Sequence, residues 1–399
     1  MAHVTPDTSC RETLQNWSEV QQEKLGVRVG QEKLGVRVGQ EKLGVRIGQV
    51  KLGVRVGQEK LGVRVGQEKL GVRVGQEKLG EGEEPHTTLK RPTFNVWNVQ
   101  HEEMLSLLEF MFADLHLPTY LKMEDETIRN FLKSVQSHYR ENPFHNFRHA
   151  FCVTQMMYSM IHLCCLQEGV SPEDIAVLMV GALCHDLDHP GLNNAYQVNA
   201  QTELAVRYQN KSPLENHHCA IALQILSQSQ SNIFCNVEPD KAKHILEGIA
   251  ELILATDMTH HGSILQALQE IQNFSFSNTD HVTVLKKGLI KFSDISNEAR
   301  PAEQAEIWAD VLMEEYFLQS DREKAEGLPV TPYMDRYTVT KAESQKSFIQ
   351  FMLLPLCQAL CKIFPQLDSW ALQPLMDAKL RYERQVEILQ SHKESLEPM

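Results

Sequence analysis

The longest apolar run of the chain is Ile175-Ala176-Val177-Leu178-Met179-Val180-Gly181-Ala182-Leu183-Cys184, and it leads directly into His185-Asp186-Leu187-Asp188-His189-Pro190-Gly191. Ten residues are too few to span a bilayer, so the run predicts a buried helix. Histidine and aspartate side chains at the end of a buried helix are costly unless their charges are neutralised. A bound metal ion neutralises them, and the stretch therefore predicts a metal site at the end of a core helix.

Further histidines and a further aspartate stand on either side of this stretch. His145-Asn146-Phe147-Arg148-His149 precedes it, and Ile290-Lys291-Phe292-Ser293-Asp294 follows it. His145 and His149 are four residues apart, which places both imidazoles on one face of a helix. Three imidazoles and two carboxylates suit Zn²⁺ together with a harder Mg²⁺ or Mn²⁺. A carboxylate shared by two metal ions is the arrangement used for in-line attack on phosphorus.

The composition is that of a soluble protein with an acidic body. The chain has 399 residues, 42% of them hydrophobic, and a formal net charge of −13. Nucleic-acid binding needs clustered Lys and Arg, so we expect no nucleic-acid partner. Nine cysteines without a CxxC pair are typical of buried free thiols in a reducing compartment, and the start of the chain lacks an apolar signal region. We therefore expect a cytoplasmic protein without a transmembrane segment.

Four segments follow one another along the chain: an N-terminal tail at 1–21, a tandem repeat at 22–80, a linker at 81–95 and a large domain at 96–399. The repeat unit is Gln-Glu-Lys-Leu-Gly-Val-Arg-Val-Gly, in six copies and a truncated seventh. Its two glycines disfavour helix, whereas Leu-x-Val-x-Val alternates like a short strand. We interpret this low-complexity extension as a flexible spacer; a β-prone stack, or a basic arm that docks on an acidic partner or an anionic membrane surface, stay open.

Apolar residues recur with helical spacing throughout the large domain, and strand-like alternation is scarce. The predicted helices cover 102–112, 126–138, 150–168, 172–184, 214–227, 241–258, 280–294, 302–319, 341–364 and 375–392. Short loops and the absence of a second break in composition predict one large all-α domain.

The order of these motifs resembles that of the class I cyclic-nucleotide phosphodiesterases, whose fold is an all-α, HD-type phosphohydrolase fold. The resemblance covers about residues 96–390. It rests on residues 145–150, 185–194, 214–218, 254–258, 294–297, 316–323 and 341–348. Within the family, the chain is most similar to the type 9, cGMP-specific branch, on the strength of residues 139–144, 202–208 and 297–301.

The resemblance implies two divalent metal ions, Zn²⁺ at the first site and Mg²⁺ or Mn²⁺ at the second. The implied ligands of the first ion are His149, His185, Asp186 and Asp294. Asp186 would also reach the second ion. The water shell of that ion would be steadied by His189, Glu215 and Thr256.

The resemblance also implies a proton donor and a nucleotide pocket. His145 would be the general acid that protonates the departing 3′ oxygen, and Glu323 would hydrogen-bond His145 and keep it oriented. Gln345 would contact the purine edge, while Phe348 and Leu312 would hold the base between them. Tyr316 and Asn297 would line the pocket.

The predicted function is hydrolysis of 3′,5′-cyclic GMP to 5′-GMP by a metal-bridging hydroxide, with a homodimer as one assembly left open. An amide can present either its donor or its acceptor end to a base, so Gln345 alone leaves a dual-specificity or cAMP-preferring enzyme open. A general HD-type phosphohydrolase acting on phosphomonoesters, and an inactive scaffold that works through its repeat arm, are the remaining alternatives.

Overall fold

Helices form the regular structure of residues 85–396, the part of the chain that the computed structural model describes, and no β-strand occurs within that part. The predicted tail, the tandem repeat and residues 81–84 lie outside the described residues. The α-helices are α1 Pro85–Leu89, α2 His101–Asp114, α3 Leu117–Tyr120, α4 Asp125–Ser137, α5 Phe147–Leu163, α6 Pro172–Cys184, α7 Asn194–Asn199, α8 Glu203–Arg207, α9 Pro213–Ser227, α10 Pro239–Ala255, α11 His261–Glu270, α12 Thr279–Ile295, α13 Ala302–Glu326, α14 Lys341–Phe348, α15 Leu354–Ile363 and α16 Gln373–Leu396. Shorter 3₁₀ segments are Val96–Asn98, Leu166–Glu168, Met258–His260 and Ser296–Ala299, and π-helical segments are Ile349–Leu353 and Asp368–Leu372.

The apolar run forms the central helix α6, as predicted. Ser171 caps its start by accepting a hydrogen bond from the backbone N–H of Asp174 at 3.1 Å, and Pro172 occupies the first turn, where its missing N–H costs nothing. Every residue from Ile175 to Cys184 is buried, with α5 and α10 packed against the helix. Helix α6 therefore delivers the residues that follow it, His185 and Asp186, into the interior of the domain.

The predicted all-α class is confirmed, and each predicted helical segment contains a helix. Short helices such as α7 and α8 have too few turns to show a period in the sequence. Helix α13 continues to Glu326, beyond its predicted end at residue 319, because its last turns are charged and carry little apolar signal. It ends at Gly327, whose φ of +70° is the left-handed conformation that terminates many helices.

The predicted linker at 81–95 is wrong in its last part. Residues 87–99 form a strap across the domain, and Leu89 and Val96 on it are fully buried. Several carbonyls of the strap are bound by side chains about fifty or more residues later, among them those of Arg148 and Arg300. Such long-range partners leave no local pattern, so this segment read as a linker although it belongs to the domain.

No helix of the described residues is long and apolar enough to cross a membrane. Eight of the nine cysteines lie in this part of the chain, and all eight are free thiols. Five of them are buried: Cys152, Cys164, Cys184, Cys219 and Cys357.

Candidate active site

Four side chains, one from α5, one from α12 and two from the turn after α6, converge at the end of α6. His149 lies in the first turn of α5, which Asn146 caps by accepting a hydrogen bond from the backbone N–H of His149 at 3.1 Å. Nε2 of His149 lies 3.3 Å from Oδ1 of Asp294 near the end of α12, and Nε2 of His185 lies 3.1 Å from Oδ2 of Asp186. The ligand atoms of all four residues lie within 4.8 Å of one another, so the predicted first-metal set forms a cluster that could hold a metal ion.

The chemistry of this donor set fits a divalent metal. Nδ1 of His185 donates to the carbonyl of Ala182 at 2.8 Å, which leaves Nε2 as the nitrogen that faces the carboxylates. Burial alone would raise the pKa of Asp186 and of Asp294, but the imidazole of His185 holds both well below their usual value. Two anionic carboxylates and two imidazole nitrogens are the ligands of a borderline ion such as Zn²⁺.

A second group shares Asp186 with the first. The ligand atoms of Asp186, His189 and His218 also lie within 4.8 Å of one another. Nδ1 of His218 donates to the carbonyl of Leu187 at 2.6 Å, and its Nε2 lies 3.6 Å from Oδ1 of Asp186. His218 was not among the predicted site residues. Its signal is a histidine pair at 217–218 on a largely apolar helix, but only the fold shows which member of the pair faces the cluster.

His189 is a hydrogen-bond donor toward the cluster. Its Nδ1 accepts from the backbone N–H of Gly191 at 3.0 Å, so the neutral ring carries its proton on Nε2. Burial and the adjacent His145 ring, stacked at 4.0 Å between centroids, hold the pKa of His189 well below the usual value. A neutral ring in this tautomer can donate to a water molecule or an oxyanion.

The partner of His145 is Glu315, and the predicted pairing of His145 with Glu323 is wrong. Nδ1 of His145 is in a short hydrogen bond with Oε1 of Glu315. Oε2 of the same carboxylate accepts from the backbone N–H groups of Phe144 and His145, at 2.9 and 3.0 Å. Glu315 and Glu323 stand on the same helix, but eight residues separate them by about 12 Å along the helix axis, so they meet different neighbours.

The carboxylate of Glu315 keeps His145 protonated. Burial lowers the pKa of His145, but Glu315, aided by Asp186 and Asp294, outweighs burial and raises it to about 9. The same contact lowers the pKa of Glu315 to about 2 against the effect of burial. Because Nδ1 is bound to Glu315, the proton on Nε2 of His145 is the one free to move to another group.

Glu323 binds the loop that follows α13 and not His145. Its buried carboxylate accepts from the backbone N–H and the hydroxyl of Thr331, at 2.7 and 2.5 Å, and from the amide of Gln319 at 2.9 Å. Gln319 in turn exchanges hydrogen bonds with Asn193. Glu323 thus fastens the loop after α13, and Met334 of that loop lines the cavity described next.

A cavity of about 370 Å³ opens beside the cluster. All five predicted substrate-binding residues line it: Asn297, Leu312, Tyr316, Gln345 and Phe348. It is also lined by the cluster-side residues His145, Asp186, His189, Glu215, Thr256 and Asp294. His149 and His185 are fully buried and do not line it.

Glu215 and Thr256 lie on the wall near Asp186. Burial, together with the nearby carboxylates of Asp257 and Asp186, raises the pKa of Glu215 to about 7, while the amide of Asn194 donates to both of its oxygens, at 3.1 and 2.8 Å. The hydroxyl of Thr256 donates to the carbonyl of Ile253 at 2.7 Å. Both side chains therefore have fixed positions at the rim of the cluster.

The known proteins to which this chain is similar are phosphodiesterases. The model of the 3′5′-cyclic nucleotide phosphodiesterase family matches residues 144–375. A human protein described as "High affinity cGMP-specific 3′,5′-cyclic phosphodiesterase 9A" is 56% identical over 296 residues, which are 74% of this chain and 50% of the human protein. A Drosophila melanogaster protein of the same description is 46% identical over 303 residues, 76% of this chain and 20% of that protein.

The chain spans about half the length of the mammalian relatives that it matches. Among solved structures, the phosphodiesterase domain of the Salpingoeca rosetta rhodopsin phosphodiesterase is similar to this chain, with a TM-score of 0.74 and 29% sequence identity. That similarity covers 78% of this chain and 95% of the solved domain.

Proposed function

The chain belongs to the 3′5′-cyclic nucleotide phosphodiesterase family, and from that premise we propose that it hydrolyses 3′,5′-cyclic GMP to 5′-GMP. The observation that carries the proposal is the pairing of His145 with Glu315 beside the four-residue cluster. A protonated imidazole and a metal-ligand set line one cavity, which also offers an aromatic ring and an amide for a base.

We propose Zn²⁺ at the first site, held by His149, His185, Asp186 and Asp294, and Mg²⁺ or Mn²⁺ at the second, reached by Asp186. When bound, the two ions would supply a nucleophilic hydroxide and neutralise charge on the phosphate. The nitrogen-containing set suits zinc, and the carboxylate with hydrogen-bonded water suits the harder ion. His189, Glu215, Thr256 and His218 are proposed to orient water at the second site.

His145 is the proposed general acid. It is positioned by Glu315 through Nδ1, so its Nε2–H can be given to the 3′ oxygen as the phosphorus–oxygen bond breaks. The pKa of about 9 keeps the proton on His145 at neutral pH, which is the state that a general acid needs before the reaction. The neutral His189 ring, stacked on His145, adds a second donor without a second positive charge.

Gln345 and Phe348 are proposed to bind the base. They stand three residues apart on α14, and Leu312 and Tyr316 stand four apart on α13, so each pair shares a helical face. Phe348 offers an aromatic plate, and Leu312 lies on the same cavity wall as Tyr316. Asn297 completes the proposed nucleotide pocket.

The test is a comparison of kcat/KM for cyclic GMP, cyclic AMP and 5′-GMP in the presence of Mg²⁺ or Mn²⁺. The proposal expects turnover of cyclic GMP, weaker turnover of cyclic AMP and no release of phosphate from 5′-GMP. Turnover of 5′-GMP would favour a general HD-type phosphohydrolase. No turnover of any of the three, with metal bound, would favour an inactive scaffold.

A cAMP-preferring or dual-specificity enzyme is the second candidate, and one observation favours it. Within the described residues, the side-chain amide of Gln345 has no hydrogen-bond partner that would fix which end faces the base. The amide can therefore rotate to match either guanine or adenine. Equal kcat/KM for the two cyclic nucleotides would decide for dual specificity.

Two properties of the whole molecule stay predictions. The free buried thiols are typical of a reducing compartment, which supports a cytoplasmic location. A homodimer is the second of these proposals, and light scattering at micromolar concentration would test it.

A further inference from the structure

We propose that Trp97, on the strap of residues 87–99, is a positioning residue for the active site. Its ring packs on that of Trp308 with 4.5 Å between centroids. Trp308 lines the cavity and is almost fully buried, so the strap forms the outer support of a cavity wall. The kinetic part of its test rests on the proposed function, whereas the placement of Trp97 against the active site rests on the geometry alone.

An aromatic column leads from Trp97 to both functional histidines. The Trp308 ring meets Phe144 edge-on at 5.6 Å and His149 at 6.0 Å between centroids. Phe144 in turn contacts the rings of His145 at 4.9 Å and His149 at 4.6 Å. A displacement of Trp308 would therefore be felt by a metal ligand and by the proton donor together.

Arg148 contacts both the backbone of the strap and the ring of Trp97. Nη1 of Arg148 donates to the carbonyls of Val96 at 2.6 Å and Val99 at 2.8 Å, the residues on either side of Trp97 and Asn98. Its guanidinium lies 5.5 Å from the Trp97 ring centroid. Arg148 directly precedes His149, so the strap also fixes the start of α5, where the metal ligand stands.

Buried side chains hold the rest of the strap in register. Arg300 donates to the carbonyls of Pro92 at 3.1 Å and Phe94 at 3.2 Å, and Gln155 donates to those of Leu89 and Arg91, both at 2.9 Å. Asn95 fixes the local turn by accepting from the backbone N–H of Trp97 at 3.0 Å. These bonds determine where Trp97 meets Trp308.

The strap thus has two separable effects. Leu89 is fully buried and adds to the core, but it belongs to no part of the aromatic column. Trp97 adds to the core and also supports Trp308. Stability depends on both residues, whereas the geometry of the metal cluster and of His145 depends on Trp97.

The experiment compares Trp97→Leu, Trp97→Phe and the control Leu89→Ala in the full chain. The melting temperature of each variant is measured first. Then, well below the lowest melting temperature, kcat/KM for cyclic GMP and the visible absorption bands of the protein loaded with Co²⁺ are measured. Those bands report the geometry of the metal ligands without any turnover. Phenylalanine keeps a ring against Trp308, whereas leucine keeps only apolar bulk.

We expect both Trp97→Leu and Leu89→Ala to lower the melting temperature. Only Trp97→Leu should lower kcat/KM, by about tenfold, because small displacements of reacting groups are costly, and only it should shift the Co²⁺ bands. Trp97→Phe should restore most of both. If Trp97→Leu does not fold, Trp97→Met, which also lacks a ring but keeps more apolar bulk, carries the test with the same expected losses. Equal losses of kcat/KM in Leu89→Ala and Trp97→Leu, or unshifted Co²⁺ bands in Trp97→Leu, would overturn the inference. Absence of turnover in the unaltered chain would instead count against the proposed function, and the Co²⁺ bands would still decide on Trp97.

Discussion

The two sides of the cavity differ in how firmly their side chains are held. On the cluster side, His145, His185 and His218 each have one ring nitrogen bound by a carboxylate or a backbone carbonyl. On the base side, Gln345 has no side-chain partner within the described residues, and Phe348 is held by packing alone. The groups proposed for bond breaking are thus fixed before substrate arrives, whereas those proposed for base recognition are completed by the substrate.

Replacement of Asp186 by Asn, on the firmly held side of the cavity, has the largest expected effect on activity. The change removes the charge that both metal groups share, and kcat/KM for cyclic GMP should fall by about a thousandfold or more, since metal ions contribute several kcal/mol to such reactions. Metal content should fall with it. The matched control is Asp188→Asn, in the same stretch.

Asp188 pairs with Arg140 and His217 outside the cavity, and its φ of +59° is one that asparagine adopts readily. Asp188→Asn should retain metal and turnover. A comparable loss of metal in both variants would contradict the assignment of Asp186.

Replacement of Glu315 by Gln is expected to have the next largest effect, about a hundredfold on kcat, the scale of a general acid's contribution. The anion raises the pKa of His145, and the acid form exists below that pKa. Its loss lowers the pKa, so the alkaline limb of the pH–rate profile should move to lower pH. Glu323→Gln is the control, because Glu323 does not contact His145 and should leave that limb in place.

Replacement of Phe348 by Ala tests the less firmly held side. Loss of a stacking ring should raise KM for cyclic GMP by about tenfold with little change in kcat. The control is Phe351→Ala, three residues further along, whose side chain is 65% exposed and does not line the cavity. A drop in kcat as large as that of Glu315→Gln would mean that the base side also positions the reacting groups.

The smallest expected effect is that of Glu323→Gln on substrate binding. Weakening hydrogen bonds to Thr331 loosens the loop that carries Met334, and KM should rise by about fivefold, which corresponds to about 1 kcal/mol for a hydrogen bond. Steady-state kinetics with cyclic GMP would measure it. A shift of the alkaline limb in this variant would restore the pairing of Glu323 with His145 that the sequence suggested.

Sequence analysis predicted the features that rest on local patterns and missed those that rest on contacts between residues far apart in the chain. The end of α6 was predictable because apolar burial followed at once by His185 and Asp186 is a local pattern. The partner of His145 was not, since Glu315 and Glu323 are both carboxylates on one helix and only tertiary packing distinguishes them. The strap was missed for the same reason, because the side chain that binds the carbonyl of Pro92 belongs to Arg300, 208 residues later.

The strap also bears on how the length of the chain can vary. The named strap contacts join residues 87–99 to residues that follow them, and the last repeat unit ends at Gly80, before the strap begins. A gain or loss of whole nonapeptide units therefore leaves every strap contact in register. An insertion of a single residue between Arg91 and Trp97 would instead displace Trp97 relative to Trp308. The strap contacts therefore place no constraint on the number of repeat units, whereas they do constrain the number of residues between Leu89 and Val99.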